Sequence, residues 1–190
     1  LISIDEYLTT VSKNFETLRE MAADIEAAAS ICVQSLRSGG KVIFCGNGGS
    51  AADSQHLAAE LMGRFLVDRA PLPALALTVD TSALTAIGND YGYDLVFARQ
   101  LRGIGREGDV LIGLSTSGTS ANVVRAFEVG SEIGIRCIAL TGSAESPLSK
   151  MAALAVRVPS NQTNHIQEMH IAIGHIICGI VEIELCSDKP

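Results

Sequence analysis

Val42-Ile43-Phe44-Cys45-Gly46-Asn47-Gly48-Gly49-Ser50-Ala51-Ala52-Asp53 reads as a short apolar strand, a tight glycine loop and the start of a helix. A junction of this kind holds anions: glycines let backbone N–H groups come close, and the new helix turns its positive end toward the ligand. Ser50 stands where an N-cap or a phosphate ligand would stand. His56 and Glu60, four residues apart, share one face of the same helix. The segment thus offers an anion cradle beside an acid–base or metal-binding pair. It points to an enzyme.

Outward from this stretch the chain alternates strands and helices. Residues 3 to 36, rich in Ala, Leu, Ile and Glu and free of Pro and Gly, read as helix, and Ser38-Gly39-Gly40 stops it before a first strand over 41–45. The helix after the glycine loop runs from Ser50 to Phe65, with Ala51, Leu57, Ala58 and Leu61 as its apolar stripe. A second strand is expected over 74–79, a short helix over 81–87 ended by Gly88-Asn89, and another over 95–101 closed by the turn Gly103 to Gly108. Asp109 to Leu114 is a third strand, apolar almost throughout, as a strand covered on both faces would be. Ser115-Thr116-Ser117-Gly118-Thr119-Ser120 follows, then a helix over 121–133 and a fourth strand over 135–140. Ser146-Pro147-Leu148 opens a brief helix, a fifth strand covers 154–158, and a long helix returns over 163–186 with Gly174 and Gly179 as close-packing points. The order implies one α/β domain over 1–190, a three-layer α/β/α sandwich around a parallel five-stranded sheet. The helices at both ends exceed what one small sheet can cover, so packing between copies is expected of the 1–36 region and of the helix over 163–186.

Apolar residues make up 47% of the 190 and charged residues 18%, a balance that excludes disorder and is generous for a monomer. That surplus fits a subunit interface and an ordinary large core equally well. No unbroken apolar run reaches the roughly 20 residues that span a bilayer, and no signal peptide precedes the first helix, so a cytoplasmic protein without a membrane partner is expected. The formal net charge of −7, with no dense Lys/Arg stripe, speaks against nucleic acid. Cys32, Cys45, Cys137, Cys178 and Cys186 show no metal-ligand spacing and read as free thiols, Cys45 and Cys137 buried in strands.

Two Ser/Thr turns follow two strands of one sheet, and ligands bind beyond strand C-termini, so Ser50 and the cluster Ser115 to Ser120 are expected to converge. Hydroxyls also cap helices routinely; the pattern is informative because it occurs twice. A phosphate monoester suits it better than a nucleotide, since the chain lacks Gly-x-Gly-x-x-Gly and a Walker lysine. Neutral donors would hold that phosphate as an unreacted handle, because phosphoryl transfer asks for Mg²⁺ ligands or a cationic clamp. Taken alone, His56 and Glu60 read more readily as a surface ion pair. Gln167 and His175 lie about 80° apart around the last helix and roughly 12 Å along it, near the limit for sharing one ion. His175 reads as a core or interface histidine as readily as a catalytic one. Three of the four histidines fall in 165 to 175, which favours function.

These blocks together resemble the phosphoheptose isomerases of the sugar isomerase (SIS) domain superfamily. The likeness runs in order through 45–56, Ala59-Glu60-Leu61, Asn89-Asp90, Ser115-Thr116-Ser117-Gly118, and Ile166-Gln167-Glu168 leading to His175. It implies a homotetramer that interconverts sedoheptulose 7-phosphate and D-glycero-D-manno-heptose 7-phosphate, the entry step for the heptose of bacterial surface glycans. By the same likeness Glu60 is the base and His175 its acid partner. Ser50, Ser115, Thr116, Ser117 and Ser120 hold the phosphate; Asn47, Gly48, Gly49, Asn89, Asp90 and Gln167 line the sugar. Some members look like zinc proteins, and the matching positions are His56, Glu60, Gln167 and His175. The chain departs from the commoner pattern at Asn164-His165. Three other readings remain open: a protein-interaction module on the same fold, a sugar-phosphate sensor, and an isomerase of shorter sugar phosphates.

Overall fold

In a computed structural model, the structure describes residues 3–186 of the 190. Its elements run α1 (Ile4–Leu18), α2 (Ala22–Arg37), β1 (Val42–Gly46), α3 (Gly49–Met62), β2 (Ala74–Ala76), α4 (Thr81–Tyr91), α5 (Val96–Ile104), β3 (Val110–Ser115), α6 (Ala121–Glu132), β4 (Arg136–Thr141), α7 (Pro147–Met151), β5 (Leu154–Arg157) and α8 (Thr163–Cys186). The sheet has the order β2-β1-β3-β4-β5, and every pairing is parallel.

Alternate residues of a strand face opposite sides, so each strand feeds two cores. Val42, Phe44, Ile112, Leu114, Ile138 and Leu140 face one side, where α2, α3 and α8 lie; Ile43, Cys45, Leu111, Cys137 and Ala139 face the other, under α5 and α6. Both faces are covered, which explains why β1 and β3 are apolar without alternation. The result is the expected three-layer sandwich. All five cysteines are free, and Cys32, Cys45, Cys137 and Cys178 are buried; burial pushes the thiols of Cys32, Cys137 and Cys178 up to about 12.

Several boundaries differ from expectation. α3 stops at Met62, three residues short of Phe65, and Gly63 follows it, while α5 runs past 101 to Ile104. The first helix does not run unbroken over 3–36: one 3₁₀ turn, Arg19–Met21, separates α1 from α2. Beyond it α2 buries Ile25, Ala28, Ala29, Cys32 and Val33 in the core, whereas α1 buries only Leu18. The bend releases α1 to lie along the outside. Gly88-Asn89 does not end α4, which continues to Tyr91 and stops at Gly92, where φ is +88°. A glycine stops a helix by adopting the left-handed conformation, and Gly88 does not adopt it. β2 is shorter than 74–79, and β5 ends one residue early. By length and composition α8 could cross a membrane, but half of its apolar window is buried within the fold. It serves as a core helix here.

Candidate active site

The in-register pairing of Gly46 with Leu114 sets the turns after β1 and β3 side by side at the C-terminal edge of the sheet. After β1, Gly48 takes φ +57°, ψ −122°, a conformation that a side chain would strain. It hands the chain straight into α3, whose first N–H groups lie outside the helix ladder. Ser50 is buried in that first turn, packed on Gly46. After β3, the hydroxyls fold the turn on itself: Ser115 Oγ and Ser120 Oγ lie 2.9 Å apart, and the Gly118 N–H donates to Ser115 Oγ at 3.1 Å. The Thr119 hydroxyl donates to Ser117 Oγ at 2.9 Å. Ser120 caps α6 by position only, with no side-chain cap bond. Thr116 is half-buried and Ser117 exposed.

A reciprocal amide pair ties the two turns together. Asn47 Nδ2 donates to Asn122 Oδ1 at 2.8 Å, and Asn122 Nδ2 returns a bond to Asn47 Oδ1 at 2.9 Å. The Tyr93 hydroxyl donates to the same Asn47 oxygen at 3.1 Å, which brings the segment after α4 to the loop. Asn89 and Asp90 are exposed at the end of α4, bonded to each other at 2.8 Å. Gln167 reaches the glycine loop from α8: a Cβ on Gly49 would fall 2.8 Å from its amide atoms.

The second part of the site lies where α3 meets α8. Gly174 permits this approach, since a Cβ there would fall 2.4 Å from the Leu57 side chain. Its neighbour His175 consequently faces His56, Nε2 to Nε2 at 3.0 Å, and His56 Nε2 is 3.0 Å from Glu60 Oε1. The ligand atoms of all three lie within 4.8 Å of one another. Phe65 stacks on the His175 ring with centroids 5.7 Å apart, fixing its plane. One proton on His56 Nε2 would have to be shared between two acceptors, whereas a cation would take a lone pair from each of the three. Two imidazoles and a carboxylate are also a donor set that zinc accepts with a position left open. The trio therefore fits a metal.

Several neighbours carried little sequence signal. Asp53, one turn before His56, is half-buried; burial pushes its carboxyl above the ordinary range, and His56 and His175 pull it partly back. Asn122, Tyr93 and Phe65 join the site from separate elements, and only Asp53 had a readable cue, its three-residue spacing from His56. A hollow of about 580 Å³ at the opposite edge of the sheet, beside Lys41 and Asp109, holds none of these groups.

The sequence profile of the SIS domain matches residues 6–142. The phosphoheptose isomerase of Akkermansia muciniphila is 57% identical over 175 residues, which cover 92% of this chain and 93% of the relative. That of Rhodospirillum rubrum is 55% identical over 184 residues, 97% and 98% of the two chains. The structure of the phosphoheptose isomerase from Neisseria gonorrhoeae superimposes with a TM-score of 0.89 at 42% identity, covering 94% of this chain and 96% of that one. Site geometry, fold and sequence thus agree, and the chain belongs to the phosphoheptose isomerase family of SIS domain proteins.

Proposed function

We propose that this chain interconverts D-sedoheptulose 7-phosphate and D-glycero-D-manno-heptose 7-phosphate through an enediol, with Glu60 and His175 moving the protons. The observation that carries this reading is the His56–Glu60–His175 group set beside two hydroxyl-lined turns at one edge of the sheet. Ser50, Ser115, Thr116, Ser117 and Ser120 grip the phosphate with neutral donors, so the phosphate is a handle and not a reacting group. Asn47, Gly48, Gly49, Asn89, Asp90 and Gln167 line the sugar.

Glu60 takes a proton from C1 of the ketose, and the electron pair left behind forms the C1=C2 bond while His175 gives a proton to O2. His175 then takes the O1 proton, C1=O forms, and Glu60, whose carboxyl proton exchanges with solvent at the enediol stage, delivers a proton to C2. Both side chains end as they began. A carboxylate suits the carbon proton and an imidazole the oxygen protons near neutral pH. His56, Glu60 and His175 would hold one zinc per subunit, with Gln167 as a candidate fourth ligand. Ligation lowers the basicity of a carboxylate, so the ion would hold the site's geometry and tune its charge, and the proton transfers above belong to Glu60 and His175 free of it.

The same reading takes residues 1–190 as one SIS domain in a cytoplasmic homotetramer, without nucleic-acid or membrane partners. Support for the assembly alone comes from the apolar exterior of the outer helices: Ile4, Leu8 and Phe15 on α1, and Ile176 and Ile183 on α8, are exposed in the single chain. The 1–36 region and the helix over 163–186 would pack the subunits, and a neighbouring copy would cover the exposed flank of His56.

Glu60→Gln keeps shape and polarity but removes the base. Its kcat is expected to fall by roughly 10²–10⁴-fold while sedoheptulose 7-phosphate still binds. Wild-type turnover in that variant would remove Glu60 from the role.

A further inference from the structure

Arg69 and Glu182 form an ion pair that neither the acid–base chemistry nor the phosphate turns use. Their side chains are 4% and 3% exposed, and Arg69 Nε lies 2.9 Å from Glu182 Oε2. Every remaining bond of the pair goes to the backbone around the α3–α8 junction. Arg69 Nη1 donates locally to the Ala70 carbonyl at 3.1 Å. It also donates to the carbonyls of Leu61 at 2.8 Å and Gly63 at 3.2 Å, and Nη2 donates to that of Glu60 at 2.8 Å. These are the C-terminal carbonyls of α3 and its exit, which have no partner inside the helix. Glu182 accepts the N–H groups of Phe65, Leu66 and Val67 at 3.0, 2.8 and 3.1 Å. Burial opposes its charge, but these amides and Arg69 prevail and hold its carboxyl below the usual range.

Glu182 lies seven residues past His175, two turns along the same face of α8. One buried pair therefore grips the Glu60 backbone, the loop that lays Phe65 on His175, and the helix that carries His175. Stability alone does not require such a pair, since well-packed apolar side chains of similar volume often serve as well or better. A fixed guanidinium fork with five donors does what an apolar pair cannot: it sets three pieces of backbone at defined distances.

We infer that Arg69 and Glu182 are positioning residues, a strut that holds Glu60 and His175 at reacting distance. This rests on the reading of those two as the proton-transfer pair. The test uses Arg69→Lys, whose single ammonium cannot span the three carbonyls and the carboxylate together, and Glu182→Gln. Both are assayed with sedoheptulose 7-phosphate at a temperature where circular dichroism shows them folded. The expected result is a kcat lowered roughly ten- to a hundredfold, as small displacements of reacting groups produce, with KM within about threefold of wild type because the phosphate turns are untouched. A kcat within twofold of wild type overturns the strut, and so does a change confined to KM. Should a single variant fail to fold, Arg69→Met combined with Glu182→Leu removes both charges; it is expected to show the same fall in kcat, and full turnover there overturns the proposal. Glu60→Gln measured in parallel separates the two ideas. Wild-type turnover in it removes Glu60 as base, whereas an inactive Glu60→Gln beside fully active strut variants removes the strut alone.

Discussion

At Gly49 the space a side chain would fill is already taken by the Gln167 amide. The position has no left-handed backbone, so alanine fits its conformation, and fewer unfolded states would favour the native fold by about 0.4–1 kcal/mol. What must yield is the flexible end of Gln167, at small energetic cost but with a changed direction for its amide. Gly49→Ala is therefore expected to keep or slightly raise the melting temperature while KM for the sugar phosphate rises severalfold. A lowered melting temperature with unchanged KM would show that Gly49 serves the fold and not the ligand. Much at this scale was legible from sequence. Gly48, Ser50, His56 and Glu60 lie within one short segment, where local spacing fixes which groups share a loop or a helix face. Asn122 was not legible as the partner of Asn47, because 75 residues separate them and only the β1–β3 register joins their turns.

Among the elements, α8 does the most to join fold to chemistry. It places Gln167 at the glycine loop, His175 against His56 on α3, and Glu182 against Arg69. It also carries His170, wholly buried, with neither ring nitrogen meeting hydrogen-bond geometry among the described residues. Burial pushes the pKa of that ring down to about 4, and the nearby Thr141 backbone offsets only part of the effect. Between about pH 6.5 and pH 4 the unfolded chain binds a proton that the native ring refuses, so stability rises with pH across this window and is lost as the solution is acidified. The full shift corresponds to about 3 kcal/mol. His170→Leu is expected to lose correspondingly less stability between those two pH values in urea unfolding; an unchanged difference would place the acid sensitivity elsewhere. Element limits were readable wherever a cap or a left-handed glycine marks them, as at Ser146 with its reciprocal Ser149 bonds. The bend at Arg19–Met21 has no such marker. It arises because α2 must lie on the sheet while α1 need not, a tertiary demand that leaves no local trace.

For the molecule as a whole, alternation of strands and helices was enough to specify a covered parallel sheet, since few other arrangements bury every apolar strand on both faces. The juxtaposition of α3 and α8 was not specified in this way. It depends on Gly174 meeting Leu57 and on Arg69 reaching Glu182, pairs more than a hundred residues apart in the chain. Gln167 and His175 looked strained as partners on their own helix, but His175 finds its neighbours on α3. The proposed isomerisation depends on Glu60 moving a carbon-bound proton within that junction. Incubating the protein with sedoheptulose 7-phosphate in D₂O, and following the sugar carbons by NMR, tests this directly. Deuterium should enter C1 of the remaining ketose and C2 of the aldose with wild type, and neither position with Glu60→Gln. Exchange, or aldose formation, at the wild-type rate in Glu60→Gln would contradict it.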